Sequence, residues 1–134
     1  MKSIIIFGGS GYVGKNLIRS FAKKGYKIII PYQKQINEAN LRLLGSVGQI
    51  IPFHFTSLKE PKILSILSSV EICINLKTSW ESKESILNNS IFKFNSSLVK
   101  AVKNSPSIKK FIFFSGIGTE KRSTLRNELI SKTE

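Results

Sequence analysis

Short apolar runs alternate along this chain with stretches whose apolar positions recur every three or four residues. The runs are Ser3–Phe7, Lys27–Tyr32, Gln49–Phe55, Glu71–Leu76 and Lys110–Phe114. Each is nearly continuously apolar and rich in β-branched or aromatic residues, as strands covered on both faces are. The first helical stretch carries Val13, Leu17, Phe21 and Ala22 on its apolar side. A helical patch over Glu38–Leu44 is stopped by Gly45, and a third helix begins at Pro61 with Ile63, Leu64, Ile66 and Leu67 as its apolar side. The longest helix is expected from about Glu84 to Asn104, where Leu87, Ile91, Phe94, Leu98 and Val102 share one face before Pro106 ends it. A last helical segment starts at Ser123 and runs into the chain end. Strand and helix in strict alternation predict an α/β domain with a parallel sheet covered on both faces. Right-handed crossovers give the strand order 3-2-1-4-5. No repeat, low-complexity tract or internal boundary interrupts residues 1–134, which read as one domain.

The first strand runs directly into Gly8, Gly11 and Gly14, and the first helix follows. Strand, glycine turn and helix in this order form the opening unit of a Rossmann-type dinucleotide-binding domain. Gly8 lets the backbone turn off the strand, and Gly11 carries no Cβ to hold a pyrophosphate away. Gly14 is expected to let the helix pack close to the sheet. The N–H groups around Tyr12 and Val13 then face the phosphates at the positive helix end. Ligands of such sheets bind beyond the strand C-termini, at the switch between strands one and four. The expected cofactor-binding rim is therefore Gly8, Ser10, Gly11, Tyr12, Val13, Gly14, Gln33, Lys34, Thr56, Leu76, Lys77 and Thr78, with Ser115 ending strand five.

Composition narrows the partners. A net charge of +13 on 134 residues is large, but the lysines are scattered over polar helix faces such as Lys23, Lys24, Lys93, Lys100 and Lys103. No basic recognition helix and no interleaved aromatic–basic module accompanies them, so nucleic acid is not an expected partner. A bias towards Ile, Lys, Asn and Ser, as AT-rich coding sequence gives, accounts for the charge more simply than a function does. The functional readings are attraction to anionic lipid, an acidic partner or a nucleotide. Cys73 cannot form an internal disulfide, being the sole cysteine, and lies in the apolar run Val70–Leu76, so it reads as an inert core residue. His54 is the sole histidine and has no ligand cluster beside it, so no metal site is expected. The first apolar run ends after Phe7, too early for a signal peptide, and no segment has the length of a transmembrane span. The expected location is the cytoplasm, including the inner face of a bacterial membrane.

Several segments resemble an extended, atypical short-chain dehydrogenase/reductase, and within it the nucleotide-binding accessory subunit of respiratory complex I and its bacterial homologues. They are Phe7-Gly-Gly-Ser-Gly-Tyr-Val-Gly14, Ile29-Ile-Pro-Tyr32, Leu41-Arg-Leu-Leu-Gly-Ser-Val-Gly-Gln49, Ile74-Asn-Leu76, Trp80-Glu81 and Lys110-Phe-Ile-Phe-Phe-Ser115. The glycine motif is generic to the superfamily, whereas the Pro-Tyr, Leu-Arg…Gly-Gln and Trp-Glu elements are more specific. The resemblance implies tight structural binding of NADP(H) at the periphery of the respiratory complex, without turnover of a substrate. It also carries departures. The family's Arg after Pro-Tyr is Gln33 here, followed by Lys34, and the Asp at the end of strand three is Thr56. No acid stands after strand two to hold a free ribose 2′-hydroxyl, and Lys34 leans the preference towards NADP(H) over NAD(H). Thr78 stands where a smaller residue is expected and crowds the cofactor.

Proton transfer in this superfamily uses a Tyr four residues before a Lys, with a Ser orienting the substrate. Ser115 matches the Ser position, but the Tyr position is Glu128 in one register and Thr124 in the other. Tyr12, Tyr26 and Tyr32 all lie in the first half of the chain and cannot substitute. The chain also reaches Glu134 within the helix that precedes the family's last strands and substrate lobe, leaving strand five as an apolar edge. A decayed or split gene product, a truncated coding region and a stand-alone cofactor module all fit that ending, and the altered Arg, Asp and Tyr positions favour decay. The leading expectation is a non-catalytic dinucleotide-binding protein with a structural or regulatory role. Partners would be the dinucleotide, complex I or a missing C-terminal half. The alternatives are a small reductase or epimerase using Ser115, and a basic module that binds anionic lipid or nucleic acid.

Overall fold

Three successive isoleucines, Ile4, Ile5 and Ile6, expose no surface at all, a condition met only by a strand covered on both faces. They belong to β1 (Ser3–Phe7), the middle strand of the sheet in the computed structural model, which describes residues 2–77 and 93–114. The other strands are β2 (Lys27–Tyr32), β3 (Ile50–His54), β4 (Ile72–Asn75) and β5 (Lys110–Phe113). All pair in parallel, in the order β3-β2-β1-β4-β5, the doubly wound arrangement that the alternation of elements predicts. Ile5 lies opposite Ile29 on one side and Cys73 on the other, so the innermost rungs are wholly apolar.

The pleat of β1 divides the core in two. Ile5 and Phe7 face Phe53, Phe55 and the helices α3 (Pro61–Leu67) and α4 (Lys93–Lys103), through Ile63, Leu67, Phe94 and Leu98. Ile4 and Ile6 face the opposite way, onto Ile18 of α1 (Tyr12–Lys23) and Leu41 of α2 (Glu38–Arg42). Each fully buried isoleucine contributes about 1.5–3 kcal/mol through removal of apolar surface from water. Phe7 meets Phe55 and Phe94 edge-on at centroid distances of 6.0 and 5.6 Å, closing the first core beneath the strand ends.

Some sequence expectations shift. In α1 the buried positions are Gly14 and Ile18, with Leu17, Phe21 and Ala22 half-buried, while Val13 is exposed at the first turn. The stripe is thus one residue out of step with Val13. The patch expected to reach Leu44 ends at Arg42, and Leu43 caps it as an exposed residue. In α3, Leu64 lies outside the buried pair Ile63 and Leu67. Among the described residues β5 is a sheet edge, with Ile112 and Phe114 exposed. Leu87, Ile91, Thr78, Trp80, Glu81, Ser115 and the segment from Ser123 lie outside the described residues. No helix among the described residues is long and apolar enough to cross a membrane.

Cys73 is buried at the centre of β4, and burial pushes its thiol up to about 12. At neutral pH almost none of it is thiolate, the form that reacts. A disulfide reagent should therefore titrate no thiol in the native protein and one equivalent in denaturant. Rapid native-state labelling would contradict the buried placement.

Candidate nucleotide-binding site

The loop that follows β1 is shaped by contacts that leave no room for side chains. Gly8 has φ +78°, where L side chains are strained, and a Cβ there would lie 2.8 Å from the Lys77 nitrogen and 2.9 Å from the Leu76 carbonyl carbon. The end of β4 is thereby drawn against the turn, and the Leu76 N–H donates to the Phe7 carbonyl at 2.8 Å. A Cβ on Gly14 would lie 2.3 Å from the Gly9 carbonyl oxygen. This close approach is expected between helix and sheet. It occurs instead between the first turn of α1 and the loop's own backbone.

Gly11 differs from both. Among the described residues a Cβ there would meet only the Gly8 carbonyl, at 3.9 Å, so none of them demands a glycine. Gly11 is also the N-cap of α1 and brings no capping side chain. The first helical bond runs from the Lys15 N–H to the Gly11 carbonyl at 2.9 Å, so the N–H groups of Tyr12, Val13 and Gly14 precede any helical acceptor. With no acid in the first turn, the positive end of the helix is left uncompensated. Ser10 is half-buried in the loop, and Tyr12 is exposed above it.

Beside the loop, Gln33 ties three strand ends together. Its Nε2 donates to the Thr56 carbonyl at 3.2 Å, its Oε1 accepts from the Lys77 ammonium, and its carbonyl faces His54 Nε2 at 3.2 Å. Lys77 is held from below as well. Its N–H donates to Asn75 Oδ1 at 3.1 Å, and buried Asn75 donates in turn to Asn95 of α4 at 2.8 Å. The Lys77 ammonium rests 4.2 Å from the centroid of Phe94. Desolvation, with a smaller contribution from the Lys34 charge, lowers its pKa. Among the described residues no carboxylate pairs with this ammonium, which marks the spot as favourable for an anion.

Thr56, which replaces the expected Asp, does not leave the end of β3 without an acid. Its N–H donates to Glu60 Oε1 at 2.8 Å, and its hydroxyl donates to the same oxygen. The Thr56 hydroxyl bond, followed by its backbone bond, holds the Glu60 carboxyl below the ordinary value of 4.5. The carboxylate thus arrives from the N-cap of α3.

Gln33, Thr56 and Lys77 line one open groove of about 960 Å³, with Phe94, Lys93 and Lys100 of α4 on its far wall. The structure therefore brings together three of the expected rim residues. The glycine loop is not part of this groove but adjoins it through the Gly8–Lys77 contact. Lys34 reaches the site through its charge on Lys77, and Leu76 packs with the opposite core. Thr78 and Ser115 lie outside the described residues. Sequence reasoning missed Glu60, Asn95 and Phe94 as members of this region. A signal existed for two of them: Glu60 immediately precedes a helix-starting Pro61, and Asn95 is a polar residue beside the apolar stripe of its helix.

A glycine turn closing on an uncapped helix start, at the switch point of a parallel sheet, defines the nucleotide-binding class of α/β domains. Residues 4–127 match the family model described as the NAD dependent epimerase/dehydratase family, and the chain belongs to that family. It is 24% identical over 123 residues to the Arabidopsis thaliana mitochondrial NADH dehydrogenase [ubiquinone] 1 alpha subcomplex subunit 9, covering 90% of this chain and 31% of that protein. The subunit of the same name from Rattus norvegicus is also 24% identical, over 96% of this chain and 35% of that protein. The chain thus spans about a third of the length of these curated relatives. Its fold matches a short chain dehydrogenase from Bacillus anthracis with a TM-score of 0.77 at 16% identity, over 97% of this chain and 62% of that one.

Two outcomes follow from this geometry. Gly8→Ala and Gly14→Ala should each cost roughly 1–3 kcal/mol in denaturant unfolding, through strain and overpacking, while Gly11→Ala should change stability by less than about 1 kcal/mol. Because the Glu60 pKa is lowered on folding, its stabilising contribution is present above 4.5 and is lost as pH falls through the folded value. The melting-temperature gap between wild type and Glu60→Gln should therefore be constant near neutrality and close in acid.

Proposed function

We propose that this chain, over residues 1–134, is a dinucleotide-binding domain that holds NADP(H) in preference to NAD(H) and serves a structural or regulatory role. The observation that carries the reading is Gly11. It keeps clear a space that no described residue fills, directly over helix N–H groups that have no acceptor among the described residues. The pyrophosphate would lie against Gly8–Gly14, with Ser10, Tyr12 and Val13 at its edge. The adenosine end would lie towards Gln33, Thr56, Leu76, Lys77 and Thr78. Lys34 and Lys77, two cations at the ends of β2 and β4, support the preference for a 2′-phosphate.

A bound nicotinamide supplies hydride chemistry, but the residues of this chain favour holding over turnover. Of its three tyrosines, the Tyr32 hydroxyl donates to Glu38 and Tyr26 meets Phe21 edge-on with ring centroids 5.3 Å apart. Tyr12 sits at the glycine loop itself. None stands four residues before a lysine. Ser115 remains the candidate for orienting a substrate were there one. The similarity to mitochondrial NADH dehydrogenase subunits supports a role as an accessory subunit of complex I.

A ligand that binds only the native state stabilises it by RT ln(1 + [L]/Kd), about 2.7 kcal/mol at a hundredfold excess over Kd. NADPH should raise the melting temperature by several degrees, and NADH by less. Gly11→Val should fold yet lose both responses, and Lys77→Met should lose the difference between them. Absence of any shift with either nucleotide at millimolar concentration would refute binding, and steady oxidation of NADPH with a carbonyl substrate would refute the non-catalytic role.

A further inference from the structure

The segment Leu41–Gln49, which the sequence singles out, takes no part in the nucleotide site. It lies on the other face of the sheet, where Leu41 packs with Ile18. Gln49 fixes it there. That buried side chain accepts from the Ser46 N–H at 2.9 Å and donates to the carbonyls of Ala22 and Tyr26 at 2.8 and 2.9 Å. The loop is therefore bound to the C-terminal end of α1, and what it presents to solvent is presented in a fixed position. It presents Val47, which is wholly exposed, and Leu43, which is 81% exposed.

Next to these tips runs a stripe of cations. Lys15, Arg19 and Lys23, four residues apart on α1, are exposed and form one wall of an open groove of about 640 Å³ whose other wall includes Leu43 and Leu44. Among the described residues no acidic side chain lines that groove. The one acid of α2, Glu38, is engaged by the Tyr32 hydroxyl and by Arg42 at 3.5 Å.

We infer that this face, the cationic stripe of α1 with the stapled Leu43–Val47 loop, docks on an anionic lipid bilayer. The charge pattern fits anionic headgroups, whose field attracts clustered Lys and Arg near the surface. The apolar pattern fits the interface below them, where exposed aliphatic side chains enter the boundary between headgroup and acyl chain. Two aliphatic tips are far too little for a stable protein–protein interface, which buries about 800 Å² per partner. Because Gln49 already orders the loop, insertion carries little further ordering cost. The surface lies across the sheet from the Gln33–Lys77 groove, so bilayer and nucleotide can be held together.

The experiment is flotation of the full chain with phosphatidylcholine vesicles that contain or lack phosphatidylserine. Binding should require phosphatidylserine and fall with salt. Lys15→Glu/Arg19→Glu/Lys23→Glu should weaken it at least about tenfold. Lys62→Glu/Lys103→Glu/Lys110→Glu, the same change in net charge on other elements, should weaken it much less. Leu43→Ser/Val47→Ser, which leaves the charge unchanged, should weaken it several-fold. Melting curves check that each variant is folded, and all the altered side chains are exposed. Equal losses in the two charge-reversal triples, or full binding by the serine pair, would show diffuse attraction and overturn the proposal. So would binding to pure phosphatidylcholine, no binding at all, or a dimer in sedimentation that the serine pair abolishes, since a second copy would then be the occupant.

Discussion

The close contact between the Gly8 backbone and the Leu76–Lys77 backbone is the constraint on which the rest of the structure depends. A parallel sheet whose crossovers reverse direction between β1 and β4 leaves a gap at their C-terminal ends, and here that gap is closed backbone to backbone. The consequences run outward in order. Lys77 is set at the junction, Asn75 beneath it reaches Asn95, and that bond fixes α4 against the sheet. Gln33 then bridges to Lys77 from β2. A side chain at position 8 would disturb all of these at once, because each is built on the position of the β4 end.

Electrostatics divides the molecule into two faces that share one sheet. On the α3–α4 face, lysines are gathered around a groove with polar strand ends, and one of them is partly desolvated against an aromatic ring. On the α1–α2 face, the cations lie along a helix in open solvent beside exposed aliphatic residues. A net charge of +13 alone does not distinguish these settings. The first setting is selective because burial strengthens each interaction with a ligand, while the second is long-ranged and sensitive to salt.

The architecture was legible because every strand is a contiguous apolar run and strands and helices alternate strictly, even where a helix departs from its expected apolar face at Val13, Leu43 or Leu64. The bounds of β2, Lys27–Tyr32, coincide with those expected, as do the first residues of β1 and α3. Legibility fell where the controlling contact is distant in sequence or made by a side chain. Gln33 and Lys77 are separated by 44 positions, and no periodicity connects them. Leu43 and Leu44 read as helix because they are apolar, yet one is a surface cap and the other lines a groove. Gly14 was assigned the right constraint and the wrong neighbour, since a motif gives the need for a missing side chain but not the atom that requires it. Thr56 looked like a lost acid until the turn into α3 placed Glu60 beside it.

The three glycines of the first turn therefore record two different histories. Those at 8 and 14 are enforced by folding, so a lineage that lost either would have had to rebuild its loop. The one at 11 is enforced by none of the described residues. In a lineage released from its ligand, it is the position free to drift while the loop around it stays intact. Among descendants of such a domain, a loop that keeps the outer two glycines and replaces the middle one would be a fossil of binding, preserved in shape after its purpose had gone.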